Sequence, residues 1–223
     1  QLTIAEQAAL LNVYGGETFE QFVLRVAPHE PVPRHGRLFA DLLDRARREP
    51  IRVCISLPPG HAKTTLLMRG IAWWLTKFRA DTSAYVTYSD AQARSKSRIV
   101  RDLVENAGVE LALDLTGMSE WRTPEGGGLL AAGSRGKLTG QRIPGLLVVD
   151  DPYKNRDEVT SEKVREAIFT RFKEVAMTRL QGGSIIVLHT RWHENDLIGR
   201  LAAEGWEVIN LPAIAEEDDP IGR

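Results

Sequence analysis

Residues 51–67, IRVCISLPPGHAKTTLL, decide the fold class of this chain. The first seven residues are a short apolar run with three β-branched side chains, which predicts a buried strand at 51–57. Two prolines and a glycine then mark a turn, and the pattern that follows predicts a helix at 63–79. A buried strand that turns directly into a helix is the opening unit of an α/β fold.

The same alternation continues along the rest of the chain. Further strands are predicted at 83–89, 145–150 and 184–190, and further helices at 90–106, 157–180 and 194–203. A weaker strand pair is predicted at 120–123 and 129–132, on either side of the turn 125–128. Strands that alternate with helices predict a mainly parallel central sheet with helices on both faces.

The two ends of the chain lack the alternation of strands and helices seen in the middle. Helices are predicted at about 3–13, 17–26 and 35–48, so we expect residues 1–50 to form a helical N-terminal extension packed on a core at 51–211. Residues 212–223 lose the periodicity and predict the start of a linker.

Composition excludes several classes of protein. The 223 residues carry 29 Lys and Arg against 30 Asp and Glu, which argues against a strongly electropositive nucleic-acid coat protein and leaves a local basic patch open. The one cysteine, Cys54, excludes an intramolecular disulfide and fits a reducing compartment. No apolar run reaches the roughly 18 residues of a membrane span, and the N-terminus lacks the basic region of a signal peptide.

The turn after the first strand predicts a phosphate-binding loop. It matches the pattern G-x-x-x-x-G-K-[ST] imperfectly, because Leu57 and Ala62 replace the two glycines. Lys63 is predicted to reach the β- and γ-phosphates of a nucleotide, and Thr64 to place its hydroxyl on Mg²⁺. The predicted nucleotide-binding residues are Pro59, Gly60, His61, Ala62, Lys63, Thr64 and Thr65. The alternative is a proline-stiffened turn with a solvated lysine.

The stretch GLLVVDDP, 145–152, ends a predicted strand in two carboxylates. We expect this strand beside the one that leads into the phosphate loop, where Asp150 could hold the water shell of Mg²⁺. Asp151 could then orient or deprotonate the attacking water. The alternative is that Asp-Asp-Pro only starts a turn.

The stretch SIIVLHTRWHEND, 184–196, is a third apolar run that ends in polar residues. Thr190 at the end of a buried strand could sense the γ-phosphate. His189 and His193 lie four residues apart, but they span a strand end and lack a third ligand, so we predict no zinc site and a structural role for at least one of them. Glu194 and Asp196 are expected to cap or charge-stabilise the N-terminus of the next helix.

Five segments together carry a family resemblance. They are PPGHAKT (58–64), TYSDAQARSKSR (87–98), LTGQRIPGLLVVDDPYKN (138–155), TRWHENDL (190–197) and LPAIAEEDDPIGR (211–223). The chain resembles the large terminase subunit of tailed bacteriophages, an ATP-driven DNA-packaging motor. The resemblance implies a P-loop NTPase of the ASCE (RecA-like) type, followed in the family by an RNase H-like nuclease. The segment 212–223 corresponds to the linker to that nuclease, so nuclease activity is not expected from this chain.

The resemblance assigns roles residue by residue. Lys63 and Thr64 match the Walker A lysine and hydroxyl. Asp150 and Asp151 match the Walker B pair, although many relatives have Glu at the second position. Thr190 matches the coupling motif of the family.

Relatives often carry an arginine inside the phosphate loop, where this sequence has Gly60. The resemblance therefore implies that another arginine neutralises the charge developing on the γ-phosphate. Arg142 is the first candidate, acting in trans from a neighbouring subunit, and Arg135 is the second. The alternative for each is a solvated loop arginine.

The remaining predicted contacts involve the base and DNA. His35 and Arg37, ahead of the phosphate loop, are candidates for contacting the nucleotide base, or simply residues at a surface helix start. The densest basic residues, predicted to grip DNA phosphates, are Arg94, Lys96, Arg98 and Arg101 on the predicted helix 90–106, with Arg135 and Lys137 in a glycine-flanked loop. A solvated helix face is the alternative.

The function implied by the resemblance is hydrolysis of ATP with Mg²⁺ to move double-stranded DNA into a procapsid. The implied partners are DNA, the portal protein, the small terminase subunit and further copies of the chain in a ring, in the host cytoplasm and without a membrane. Two alternatives stay open: a helicase-like nucleic-acid-remodelling ATPase on the same fold, and a nucleotide-binding scaffold without turnover.

Overall fold

The computed structural model describes residues 16–136, 138, 140 and 142–214, so the predicted helix at 3–13 and most of the predicted linker lie outside the described residues. The helices are α1 (Phe19–Val26), α2 (Arg37–Ala46), α3 (Lys63–Lys77), α4 (Asp90–Asn106), α5 (Arg156–Thr160), α6 (Glu162–Arg179) and α7 (Leu197–Ala203), with a 3₁₀ turn at Arg34–Gly36. The strands are β1 (Arg52–Ser56), β2 (Thr82–Thr87), β3 (Thr116–Gly117), β4 (Glu120–Arg122), β5 (Gly128–Gly133), β6 (Leu146–Asp150), β7 (Ser184–His189) and β8 (Glu207–Asn210).

These strands form one sheet in the order β3-β4-β5-β2-β6-β7-β1-β8. In this order, all neighbouring strands from β5 through β2, β6, β7 and β1 to β8 pair in parallel. The pairs β3–β4 and β4–β5 are antiparallel. The prediction of a mixed α/β fold with a mainly parallel sheet is confirmed. The predicted pair at 120–123 and 129–132 is β4 with β5, in which Trp121 is opposite Leu129.

Side chains of the central strands alternate between two apolar layers. On one face Val53, Ile55, Val148 and their neighbours pack with residues of α1 to α4. On the other face Cys54, Leu147 and Val149 pack with residues of α5, α6 and α7. Helices therefore cover both faces, as the near-continuous apolar strands require. In the described part of the chain no helix is both long and apolar enough to span a membrane.

The N-terminal helices are attached to α3 through buried polar contacts. The Trp73 indole N–H donates to the Glu17 carbonyl at 3.0 Å, and the Phe19 ring meets the Trp73 ring edge-on with centroids 6.4 Å apart. The buried Arg69 guanidinium pairs with Glu30. These contacts hold the segment around α1 and α2 against the helix that follows the predicted phosphate loop.

Two details of the fold differ from the sequence-based expectation. The predicted helix 157–180 is two helices, because the Ser161 side chain accepts from the Val164 N–H and starts α6 as its N-cap. The Asp150 strand is not beside β1, since β7 lies between β6 and β1. At about 4.8 Å per strand, β6 and β1 are therefore about 10 Å apart. The carboxyl ends of all three strands still meet at one edge of the sheet.

Candidate functional site

The loop from β1 to α3, residues 57–62, turns through two left-handed backbone positions. Gly60 has φ of +80° and Ala62 has φ of +53°. A left-handed alanine costs roughly 1–2 kcal/mol, so the neighbouring contacts must stabilise this turn. Directly after it Lys63 begins α3, and the free N–H groups of the first helical turn lie beside the loop.

The Lys63 side chain is buried, with only 8% of the residue exposed. Its ammonium donates to the Thr190 hydroxyl at 2.7 Å, to the Leu57 carbonyl at 3.3 Å and to the Pro58 carbonyl at 3.4 Å. The alternative of a solvated lysine is therefore wrong. The loop surrounds the Lys63 side chain, and its charge lies at the N-terminus of α3, where a helix favours an anionic group.

Asp150 lies at the end of β6 and is 2% exposed. Its Oδ2 accepts from the Thr64 hydroxyl at 2.9 Å and from the Tyr85 hydroxyl at 2.8 Å. Its Oδ1 is also buried and has no hydrogen-bond partner among the described residues. Burial, and after it the nearby Asp151 carboxylate, raises the pKa of the Asp150 carboxyl to about 6.

This arrangement suits a hydrated Mg²⁺ ion. Carboxylate and hydroxyl oxygens are the ligands that Mg²⁺ prefers, and it usually keeps several of its waters. The Thr64 hydroxyl can donate to Asp150 and still offer a lone pair to a metal. The orphaned Oδ1 is a buried acceptor that waters of such an ion could satisfy, so the residues fit the predicted metal.

Asp151 adopts a left-handed conformation with φ of +40° and is half-buried. Its N–H donates to the Leu188 carbonyl at 3.0 Å, and its Oδ1 accepts from the Thr190 N–H at 3.2 Å. The carboxylate is therefore held by the end of the neighbouring strand β7. The Asp-Asp-Pro stretch is a turn, and it also brings two carboxylates to the same edge as Lys63.

The segment 191–196 after β7 is a folded turn organised by one buried carboxylate. Asp196 accepts from the Arg191 guanidinium at 2.9 Å and from the Gly199 N–H at 2.9 Å, so it is the N-cap of α7. The capping role predicted for Asp196 is confirmed. Glu194 is exposed, and its backbone carbonyl accepts from Arg191.

His189 has a structural role, as predicted for at least one of the two histidines. Burial lowers its pKa below the ordinary value, so the ring is neutral. Nε2 accepts from the Ile198 N–H at 3.3 Å, which leaves Nδ1 to donate to the Thr190 carbonyl at 2.9 Å. Among the described residues no group of three His, Cys, Asp or Glu side chains could hold a metal ion by themselves.

His35 contacts the loop that precedes α3. Its Nε2 donates to the His61 carbonyl at 2.9 Å, and the two imidazole rings meet edge-on with centroids 5.8 Å apart. The His61 Nδ1 in turn donates to the Pro59 carbonyl at 3.0 Å. His35 therefore contacts the loop, while Arg37, two residues further on at the start of α2, is exposed.

The two candidate arginines lie at opposite edges of the sheet. Arg142 is exposed before the amino end of β6, where the Ile143 N–H donates to the Arg179 carbonyl at 2.7 Å. Arg135 follows the carboxyl end of β5, is two strands from Asp150, and pairs with Glu158 at 3.0 Å. A five-residue strand is about 16 Å long, so the fold does not bring Arg142 to the Asp150 edge of its own chain.

The predicted DNA-contacting residues of α4 divide by exposure. Arg94 and Arg98 are exposed, Lys96 is half-buried, and Arg101 donates to the Thr116 carbonyl at 3.1 Å. Arg101 therefore anchors β3 to α4. Lys137 lies outside the described residues.

Comparison with known proteins supplies the family. Residues 54–223 match the family model described as terminase large subunit, T4likevirus-type, N-terminal. The chain belongs to the large terminase subunit family. The resemblance found in the sequence is thus confirmed.

Solved structures and curated proteins add less. The crystal structure of the HK97 bacteriophage large terminase is 16% identical, with a TM-score of 0.58 over 90% of this chain. Our chain spans 44% of that terminase, so the likeness supports the fold alone. A replication initiator DnaA bound to AMPPCP and single-stranded DNA is 19% identical over 82% of this chain and 47% of its own, with a TM-score of 0.35. A search of curated proteins gives no match.

Sequence reasoning missed Tyr85, whose hydroxyl donates to the Asp150 carboxylate. Tyr85 lies inside β2 and has the apolar neighbours of an ordinary core tyrosine, so nothing in its local sequence indicates a polar partner. The signal is the pairing of β2 with β6, which places Tyr85 opposite Val148 and near Asp150. That register is a non-local property of the fold.

Proposed function

We propose that this terminase domain is a Mg²⁺-dependent ATP hydrolase that drives the movement of double-stranded DNA into a procapsid. The observation that carries the proposal is the hydrogen bond between the Thr64 hydroxyl and the buried Asp150 carboxylate, across 86 residues of sequence. This bond brings the start of α3 next to the acidic end of β6. Mg²⁺ bound to a nucleotide needs a hydroxyl and a carboxylate close together in this way.

The strand order supports the ASCE type of P-loop NTPase. In this type an additional strand separates the strand before the phosphate loop from the strand that carries the acidic pair. Here β7 is that strand, and its end supplies Thr190 to the space between Lys63 and Asp151. Although Ala62 replaces the second glycine of the motif, it adopts the left-handed conformation that a glycine would take there, with φ of +53°.

Each residue has a role in this proposal. Lys63 and the N–H groups of residues 60–65 bind the phosphates, and His35 lies on the same loop for the nucleotide base. Mg²⁺ bound through Thr64 and the water shell on Asp150 would neutralise charge on the phosphates. Asp151 orients the attacking water, and Thr190 connects the γ-phosphate region to β7.

The charge on the γ-phosphate also needs an arginine. We propose that Arg142 supplies it to a neighbouring copy in a ring, because it is exposed at the edge of the sheet opposite its own Asp150. Head-to-tail ring contacts bring opposite sides of neighbouring subunits together. Arg135, which is 58% exposed at the phosphate edge, is the second candidate.

The partners follow from packaging. In this proposal Arg94 and Arg98 bind DNA phosphates, with Lys96 and Arg101 nearby. The affinity for DNA should therefore fall as the salt concentration rises. The portal protein and the small terminase subunit complete the motor in the host cytoplasm. The net charge of the chain is only −1, so binding to DNA phosphates has to rely on a local basic patch.

The test is ATP turnover at rising protein concentration, with Mg²⁺ or with EDTA. The wild type is expected to hydrolyse ATP only with Mg²⁺, and its turnover per subunit should rise as subunits assemble. Lys63→Ala should abolish turnover, while Lys163→Ala, which removes an exposed lysine on α6, should not. Turnover by Lys63→Ala at the wild-type rate would exclude the proposed ATPase site.

A further inference from the structure

The Asp150 carboxylate is held by hydroxyls from two different elements. Thr64 comes from the start of α3, and Tyr85 comes from the middle of β2. Both donate to the same oxygen, Oδ2, at 2.9 Å and 2.8 Å. Tyr85 is 1% exposed, so its hydroxyl is shielded from bulk solvent.

The sheet register explains why Tyr85 reaches the carboxylate. Tyr85 is paired with Val148 of β6, and Asp150 lies two residues further along the same strand. Residues two apart on a strand share a face, and a diagonal neighbour at about 7–8 Å is within reach of an aromatic side chain. The phenol therefore lies alongside the carboxylate in a fixed direction.

The two hydroxyls differ in whether their position depends on the bound metal ion. Thr64 is itself proposed to bind Mg²⁺, so its position depends on the ion. Tyr85 is embedded in the sheet and does not depend on it. Oδ1 of Asp150, with no partner among the described residues, is the oxygen left for the ion's waters.

We propose that Tyr85 is a positioning residue, which fixes Oδ2 and leaves Oδ1 of Asp150 to accept from the waters of nucleotide-bound Mg²⁺. This inference rests on the proposed ATPase function. Mg²⁺ demands near-ideal octahedral geometry, so a carboxylate that can rotate binds its water shell less well. Residues that orient metal-binding groups typically change metal affinity by about 10–100-fold when mutated.

The variant Tyr85→Phe removes the hydroxyl and keeps the ring. Binding of a fluorescent ATP analogue is measured on the full chain, once in EDTA and once as a titration with Mg²⁺. We expect the Mg²⁺ concentration at half-maximal effect to rise about 10-fold, while the affinity in EDTA stays within twofold. The Mn²⁺ affinity of the ADP complex, from the electron paramagnetic resonance signal of free Mn²⁺, should fall by the same factor.

Tyr153→Phe is the matched control. Tyr153 is also a buried tyrosine, and its ring meets His189 edge-on with centroids 5.9 Å apart. We expect its removal of a buried hydroxyl to leave the Mg²⁺ midpoint unchanged. A thermal melt of each variant verifies that both remain folded.

Three results would overturn the inference, and they are distinguishable. An unchanged Mg²⁺ midpoint in Tyr85→Phe would show that Asp150 needs no support from the phenol. An equal loss of affinity in EDTA and in Mg²⁺ would assign Tyr85 a merely structural role. Absence of nucleotide binding by the wild type would instead overturn the proposed function, and this inference with it.

Discussion

The Lys63 ammonium lies 2.7 Å from the Thr190 hydroxyl, although 127 residues separate them in the chain. The same hydroxyl donates to the Leu57 carbonyl at 3.2 Å, and the Thr190 N–H donates to Asp151. One threonine thus contacts the lysine, the loop before it and the second carboxylate of the acidic pair. A movement of the lysine toward a phosphate must break or lengthen a bond to β7.

Replacing Thr190 tests this connection. Thr190→Val keeps the shape but removes the acceptor for Lys63, so ATP turnover should fall by about 10²-fold. The free energy of unfolding should fall by about 1–2 kcal/mol, because the buried ammonium loses a partner. Thr190→Ser keeps the hydroxyl and should retain most activity. Equal turnover in the valine variant and the wild type would exclude the connection.

Ala62 offers a stabilising substitution inside the site. Its φ of +53° is unfavourable for alanine and easy for glycine, and the residue is exposed, so little packing is lost. Ala62→Gly should raise the free energy of unfolding by about 0.5–1 kcal/mol, measured by urea denaturation.

The matched control for Ala62→Gly is an alanine in an ordinary helix. Ala167 is exposed in α6, and Ala167→Gly should lower the free energy of unfolding by about 1 kcal/mol. If both glycine variants lost stability equally, the left-handed turn at residue 62 would not be strained in solution.

Asp150 makes stability depend on pH in a specific direction. Its folded-state pKa of about 6 lies above the ordinary 3.8, so the folded protein binds this proton more tightly than the unfolded chain does. Its contribution to the free energy of unfolding therefore falls as pH rises from 3.8 to about 6, and stays low above that. Asp150→Asn removes the buried charge and should stabilise the protein by about 1–2 kcal/mol at neutral pH.

Urea denaturation in EDTA at pH 7.5 and at pH 4.5 checks this prediction. The advantage of Asp150→Asn over the wild type should shrink at the lower pH, because Asp150 is then protonated in the folded state. Asp41→Asn, which changes an exposed carboxylate on α2, is the control and should change the free energy of unfolding by less than about 0.5 kcal/mol at both pH values. A pH-independent advantage for Asp150→Asn would contradict the raised pKa.

The turn after β7 provides a test of stability alone. Asp196 caps α7 and binds Arg191 from a fully buried position. Asp196→Ala should cost about 2–4 kcal/mol of unfolding free energy, because the cap and the guanidinium lose their acceptor together. Glu194→Ala, which changes an exposed side chain two residues away, should cost less than about 0.5 kcal/mol. Similar losses in both would contradict the assigned cap.

The sequence predicted the apolar strands and the amphipathic helices, but it missed the edge strands β3 and β8. The runs at 146–149 and 185–188 are apolar throughout, so a short continuous apolar run identifies each as a buried strand. In β8 three of four residues are exposed, and the strand exists because Glu207 to Asn210 pair with the edge of β1. Local pattern carries no information about such pairing.

The candidate site follows the same rule. Lys63 and Asp150 are recognisable because each stands at the end of an apolar strand or the start of a helix. The support of Asp150 by Tyr85 and the position of β7 between β6 and β1 depend on strand order, which one sequence does not encode locally. The placement of Arg142 at the opposite edge is a result of the same topology.

Arg142 gives the most direct test of assembly. The next residue, Ile143, is held by two backbone hydrogen bonds: its N–H donates to the Arg179 carbonyl, and its carbonyl accepts from the Gln181 N–H at 3.1 Å. The exposed Arg142 side chain therefore extends from an ordered part of the backbone. If Arg142 serves a neighbour, Arg142→Ala should reduce turnover by about 10³-fold or more while leaving nucleotide binding intact.

Mixing variants separates action in trans from action in cis. Arg142→Ala retains its own phosphate loop, and Lys63→Ala retains its arginine, so a mixed ring contains interfaces with both groups and turnover should partly return. Arg135→Ala mixed with Lys63→Ala is the comparison, because Arg135 pairs with Glu158 at the opposite edge of the sheet. No rescue in the Arg142 mixture, together with normal turnover by Arg142→Ala alone, would exclude Arg142, and rescue confined to the Arg135 mixture would assign the role to Arg135.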